Sequence, residues 1–104
     1  MIYKVRARYI ETEVKRFFEK LTDGTIAGQE PDGEEIVTAM QTAKITEPGI
    51  IEWYETCYCR TPLEHERATV YDSFLSGIST ERVSASGEIA GDAFWSYMEA
   101  ASGQ

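Results

Sequence analysis

The chain has 104 residues, 42% of them hydrophobic and 12% aromatic, which suits one globular domain spanning residues 1–104 and excludes a disordered chain. Its formal charge is −8, and that charge is unevenly placed: residues 1–20 carry six basic and three acidic side chains, whereas the remainder carry four and fifteen. An acidic chain has no generic attraction for phosphate backbones or anionic lipid, so neither nucleic acid nor a membrane is an expected partner.

Residues 2–10 read IYKVRARYI. Tyr3, Val5, Ala7 and Tyr9 fall on one side and Lys4, Arg6 and Arg8 on the other, the period of a half-buried strand. The period then changes. Val14, Phe17, Phe18 and Leu21 form a helical stripe, and Asp23-Gly24 supplies a stop. Residues 25–31 read as a loose turn or a short extra helical turn, broken at Pro31 and Gly33. Asp32 followed by Glu35 has the spacing of a capping box, and Ile36, Val37, Met40 and Ala43 continue a stripe. The first crossover is therefore expected to be a broken helix pair over about residues 12–42.

Glu47-Pro48-Gly49-Ile50 suits a type II turn between a short strand and a long one running from Ile50 to Arg60. On the long strand Ile51, Trp53, Glu55, Cys57 and Cys59 share a face, and Glu52, Tyr54, Thr56, Tyr58 and Arg60 share the other. Thr61-Pro62-Leu63-Glu64 has the residues of a helix start, with Thr as cap, Pro in the first turn and Glu closing the box. That helix is expected to run to about Leu75 and end at Gly77. Its inner stripe reads Leu63, Arg67, Val70 and Phe74, with Tyr71 and Leu75 beside it. Residues 78–86 suit a polar edge strand. Asp92 can cap a final helix bearing Phe94, Trp95, Tyr97 and Met98, whose last residues should fray.

Two cysteines, no leader-like N-terminus and no apolar run near the ~20 residues of a membrane span place the chain in the cytoplasm, and its composition suits a bacterial source. Cys57 and Cys59 lie two apart on one strand face, about 6.6 Å between Cα atoms, which strains a disulfide. A thiolate metal site usually needs four ligands, and the whole chain offers two Cys and one His. Two small buried apolar residues is the plainer reading, with thiol-based metal binding or redox chemistry as an alternative. No metal site is expected.

Glu55 is the more informative residue. Beneath the helices its carboxylate needs a partner, or it neutralises. Arg67, on the inner stripe, is the expected partner, either as a structural pair or at the end of a pocket. His65 is the single histidine, in the first turn after a strand end, flanked by Glu64 and Glu66. The candidate catalytic residues are thus Glu55 and His65, and the candidate ligand-binding residues are Trp53, Cys57 and Arg67. No glycine-rich loop joins a strand to a helix, so no phosphate-bearing or flavin cofactor is expected. Lys4, Arg6, Arg8, Tyr54, Tyr58 and Arg60 share an open sheet face that suits a second copy or an anionic or planar ligand, and no RNP1 pattern is present there.

The order strand, helix, strand, strand, helix, strand over residues 2–86 resembles the dimeric α/β-barrel group of ferredoxin-like proteins. The resemblance implies an α+β fold, ferredoxin-like βαββαβ, with a four-stranded antiparallel or mixed sheet whose first and third strands are adjacent and parallel. It also implies a homodimer with sheets face to face and a pocket between sheet and helices in each subunit. The broken first helix and the extra C-terminal helix depart from the simple pattern. Glu55–Cys59 together with His65–Asp72 is similar to stretches of small uncharacterised bacterial proteins, a likeness that implies no activity. The expected function is a homodimeric domain binding a small molecule, anions included, in that pocket. The alternatives are a protein–protein assembly module using the sheet face and terminal helix, and a thiol-based metal or redox protein.

Overall fold

Alternation in the first strand and in the Trp-bearing strand determines which side of the sheet is covered. The computed structural model describes residues 1–58 and 60–103. In it, β1 (Ile2–Tyr9) and β3 (Ile50–Thr56) pair so that Tyr3 meets Glu55, Val5 meets Trp53 and Ala7 meets Ile51. All six of these side chains are buried and face the helices. The other strands are β2 (Lys44–Glu47), β4 (Leu75–Val83) and the two-residue β5 (Asp92–Ala93). The sheet order is β4-β1-β3-β2-β5, with every pair antiparallel. The fold is α+β with a five-stranded antiparallel sheet.

The first and third strands are adjacent, but they run in opposite directions. The reason is the tight turn at Pro48-Gly49, where Gly49 takes φ +83°, the left-handed value that a type II turn demands. The helical crossover leaves β2 pointing the same way as β1. The hairpin then folds β3 back into the gap between them, against both. The fifth strand is also new. Asp92 does not cap the final helix but pairs beside Ile45, and Ala93 occupies the cap position.

The crossover is a broken helix pair, as its stripes imply: α1 (Val14–Thr22) and α2 (Gly33–Thr42). Between them, turns closed by Gly28 N–H to the Gly24 carbonyl and Gln29 N–H to the Ile26 carbonyl place Ile26 in the core. The Asp32/Glu35 capping box does not form, because the Asp32 carboxylate turns to His65 instead.

The third helix, α3, is built of three contiguous pieces: Glu64–Glu66, a π segment Arg67–Tyr71, and Asp72–Phe74. The Thr-Pro-Leu-Glu box is not made either. Leu63, fully buried, takes φ +57° and immediately precedes the helix. The buried stripe is Leu63, Glu66, Val70, Tyr71 and Phe74. The chain then enters β4 at Leu75 with no loop. Gly77 therefore does not end the helix. It sits in β4 with φ +57°, where the β1–β4 register shifts between Arg6 and Arg8, a bulge.

The final helix α4 (Phe94–Ser102) lays Phe94 and Met98 into the core. Trp95 packs edge-on against Phe18, and Tyr97 lies against Tyr9 and donates its hydroxyl to Glu11. This helix is a wall of the core. Its buried residues belong to one cluster with those of β1, β3 and the other helices. Among the described residues no helix is long and apolar enough to cross a membrane.

The far face of the sheet carries charge instead of helices. Lys4 lies 3.6 Å from Glu52, and Arg6 reaches Glu52 at 3.3 Å and Glu47 at 2.7 Å. Residues 84–91 then connect β4 at one edge to β5 at the other. A carbon placed on Gly87 would lie 3.6 Å from the Tyr54 hydroxyl.

Candidate functional site

Strand parity sends Glu55 inward after Ile51 and Trp53, and it is 6% exposed. Two donors converge on one of its oxygens. The Trp53 indole N–H donates to Oε1 at 2.8 Å, and the Tyr71 hydroxyl donates to the same oxygen at 2.7 Å. The other oxygen, Oε2, is buried and accepts no hydrogen bond from any described residue. The π segment contributes here. Its wide turn carries both Val70 and Tyr71 on the buried side of α3, and such segments recur at functional sites.

A second carboxyl joins the first from α3. Glu66 is 1% exposed. Burial holds the Glu55 carboxyl up at about 8, an effect that the Tyr71 and Trp53 donors reduce and the neighbouring Glu66 reinforces. At neutral pH Glu55 is therefore mainly the neutral acid, with a proton available for Oε2. Tyr71 keeps its own proton, since burial and then Glu55 push its hydroxyl well above the ordinary value. Chemically this is a desolvated acid held ready to release a proton near neutrality.

Two hollows adjoin the pair. One, of about 470 Å³, lies between Glu34, Glu35 and Thr38 of α2 and Tyr54, Glu55 and Thr56 of β3. The second, of about 230 Å³, is lined by Asp32, Glu35, Thr56, Cys57, Tyr58 and Glu66. They share Glu35 and Thr56, and among the described residues no Lys or Arg lines either. A larger hollow of about 860 Å³ lies at the β2 side of the sheet, between Lys44, Tyr54 and the strap 84–91. Its lining includes no buried ionisable side chain, so the chemistry concentrates at the smaller pair.

Of the residues expected from sequence, Trp53 and Glu55 come together through a direct hydrogen bond, and buried Cys57 lines the second hollow. Arg67 does not join them. Its side chain is 40% exposed and bonds Asp72 through Nε at 3.2 Å. The residue one position earlier, Glu66, occupies the inward place. From Leu63, steps of three and four are both one helical turn, and the chain takes the step of three. His65 is exposed and pairs through Nδ1 with Asp32 Oδ2 at 2.5 Å, lining neither hollow. Cys59 lies outside the described residues. Among those described, no group of three or more His, Cys, Asp or Glu is arranged to hold a metal ion.

Sequence patterning does not mark Glu66 or Asp32 as site residues. The one signal for Glu66 was its i+3 spacing from Leu63, in competition with the i+4 spacing of Arg67. Asp32 was legible only as a cap. No protein-family model matches the chain, and neither a curated protein nor a solved structure does.

Proposed function

We propose that this chain is a small-molecule-binding domain of the ferredoxin-like kind, its site being the Glu55 carboxyl where β3 passes beneath α2 and α3. The strand order β4-β1-β3-β2 supports the ferredoxin-like reading, with β5 as an added edge. The observation that carries the functional reading is the Glu55 carboxyl itself. It is buried, two donors hold one oxygen, the other oxygen is enclosed without a hydrogen-bond partner among the described residues, and the residue lines an open hollow. A carboxyl buried at this cost is more than packing requires, since an apolar side chain of similar volume would fill the place more stably. The acidic lining turns the expected ligand away from anions. Glu55 is the proton-exchanging group, Trp53 and Tyr71 position it, and Cys57 forms part of the wall. His65 and Arg67 stand outside the binding site in this proposal.

The test is a nitrogen–proton NMR survey with small cationic, neutral and anionic compounds. Ligands of this site shift the Trp53 indole N–H and the Thr56 amide together, and Glu55→Gln abolishes the response. Compounds that shift only residues 84–91 would move the site to the strap.

A second reading rests on a different observation, the charged far face of the sheet. There Lys4, Arg6 and Arg8 stand between Glu47 and Glu52 on one side and Glu81 on the other. Such alternating stripes suit a second copy rotated onto the first, sheet to sheet. Sedimentation at low and high salt tests this. A dimer that dissociates as salt rises supports it, and a monomer at low salt removes it.

A further inference from the structure

Strand β3 outruns its partner on one side. β1 pairs with it from Ile50 to Thr56, but β2 pairs only with Ile50, Ile51 and Glu52. Upstream of Lys44 the chain leaves the sheet for α2. Two bonds at the ends of β3 set the direction of its main-chain groups. The Gly49 carbonyl accepts from Tyr9 N–H at 3.0 Å, and Cys57 N–H donates to the Met1 carbonyl at 2.9 Å. Odd-numbered residues therefore turn their N–H and C=O groups to β1, and even-numbered ones turn theirs to the β2 side. There Glu52 meets Lys44. Beyond it, no described residue hydrogen-bonds the N–H or C=O of Tyr54 or Thr56 on that side. Two donors and two acceptors stand in a row, the template on which a further strand forms.

This stretch has walls. The hollow of about 860 Å³ and that of about 470 Å³ lie along it and share Thr42 and Tyr54, so they form one trough. Glu34, Thr38 and Thr42 of α2 line one side, and Ser86 to Ala90 of the strap line the other. The trough is also polar along its length. At the Thr56 end Glu34 and Glu35 are exposed, with no Lys or Arg among the described lining residues. At the other end Lys44 and Glu88 supply one charge of each sign. In a strand laid here, the residue beside Glu55 turns its side chain toward α2, and those beside Tyr54 and Thr56 turn theirs to the strap side.

We propose that the trough binds an extended peptide segment as an added strand on Tyr54 and Thr56. A lysine or arginine of the segment lies against Glu34 and Glu35, and the apolar residues before and after it face Tyr54 and the strap. Main-chain hydrogen bonds hold the segment, and the alternating side chains select it. The inference goes beyond the reading of Glu55 as a small-molecule site and does not rest on it, because its contacts are main-chain groups and two acids of α2.

The test is amide NMR and hydrogen exchange on the full chain with a capped pentapeptide, threonine-valine-lysine-valine-threonine. In the free protein the Tyr54 and Thr56 amides should exchange faster than those of Trp53 and Glu55, which face β1. The peptide should shift and protect Tyr54 and Thr56. Glutamate in place of its lysine should weaken binding about tenfold, and the double variant Glu34→Gln, Glu35→Gln should remove that preference. Two further peptides carry N-methyl groups, one on the second and fourth residues and one on the first, third and fifth. Only one of these sets of N–H groups faces β3, so one peptide should bind like the parent and the other should fail. Loss in both, or in neither, overturns pairing with the edge. Equal binding of the lysine and glutamate peptides overturns the basic partner. Slow exchange at Tyr54 and Thr56 in the free protein, or no shift there at millimolar peptide, removes the site.

Discussion

Glu55 makes the stability of this protein depend on pH in an unusual direction. In the fold it keeps its proton up to about 8, whereas an exposed glutamate loses it near 4.5. Between those values the folded chain holds more protons than the unfolded one, so stability falls as pH rises through the window and levels off above it. The loss is on the order of a few kcal/mol. Glu55→Gln keeps the acceptor for Trp53 and Tyr71 and removes the titration. Urea midpoints measured at steps across this window should show the wild-type slope largely gone in the variant, with the variant the more stable above the window. A slope equal to that of the wild type would show that Glu55 ionises normally.

At the scale of elements, the phase of α3 and the close approach of α2 to its preceding turn are the decisive features. Because Arg67 points outward to Asp72 and Glu66 points in, Arg67→Met should change stability by no more than about 0.5 kcal/mol. Glu66→Trp, which overpacks a place only 1% exposed, should cost about 1–3 kcal/mol. Chemical denaturation of the two variants distinguishes this phase from its neighbour, in which the order of costs reverses. At the start of α2, a Cβ on Gly33 would lie 2.0 Å from the Ile26 carbonyl oxygen, a backbone atom. Gly33→Ala must push the helix from the turn that buries Ile26, at a cost of about 1–3 kcal/mol. A thermal melt unchanged from the wild type would mean that the turn yields freely.

For the whole molecule, the terminal helix closes the core. Phe94 and Met98 are fully buried, and Phe94 lies 5.3 Å from Tyr9 and 6.5 Å from Phe17 between ring centres. Phe94→Ala should cost about 3–5 kcal/mol, and removal of residues 94–104 should leave a chain without a cooperative unfolding transition. A truncated chain that still unfolds sharply would make α4 an appendage. The same burial explains the consecutive aromatics Phe94 and Trp95. One fills the core, and the other covers the half-buried Phe18 from outside.

Alternation and helical stripes alone determined much of this protein: strands at both ends of the first crossover, its broken helix pair, the Pro48-Gly49 hairpin and the inward turn of Glu55 beside Trp53. These are local properties, since parity and turn chemistry depend on neighbours in sequence. Only the tertiary structure decided what Glu55 meets. Leu63 in a left-handed conformation and a π turn rotate α3 so that a second acid faces the first, and the arginine stays in water. Asp32 leaves its capping role for His65 because the fold brings residues 33 positions apart to one place. The antiparallel centre and the fifth strand arise in the same way. A pattern of period two says which side of a strand is buried, but its neighbours and their directions follow from where the crossovers and the hairpin deliver the chain.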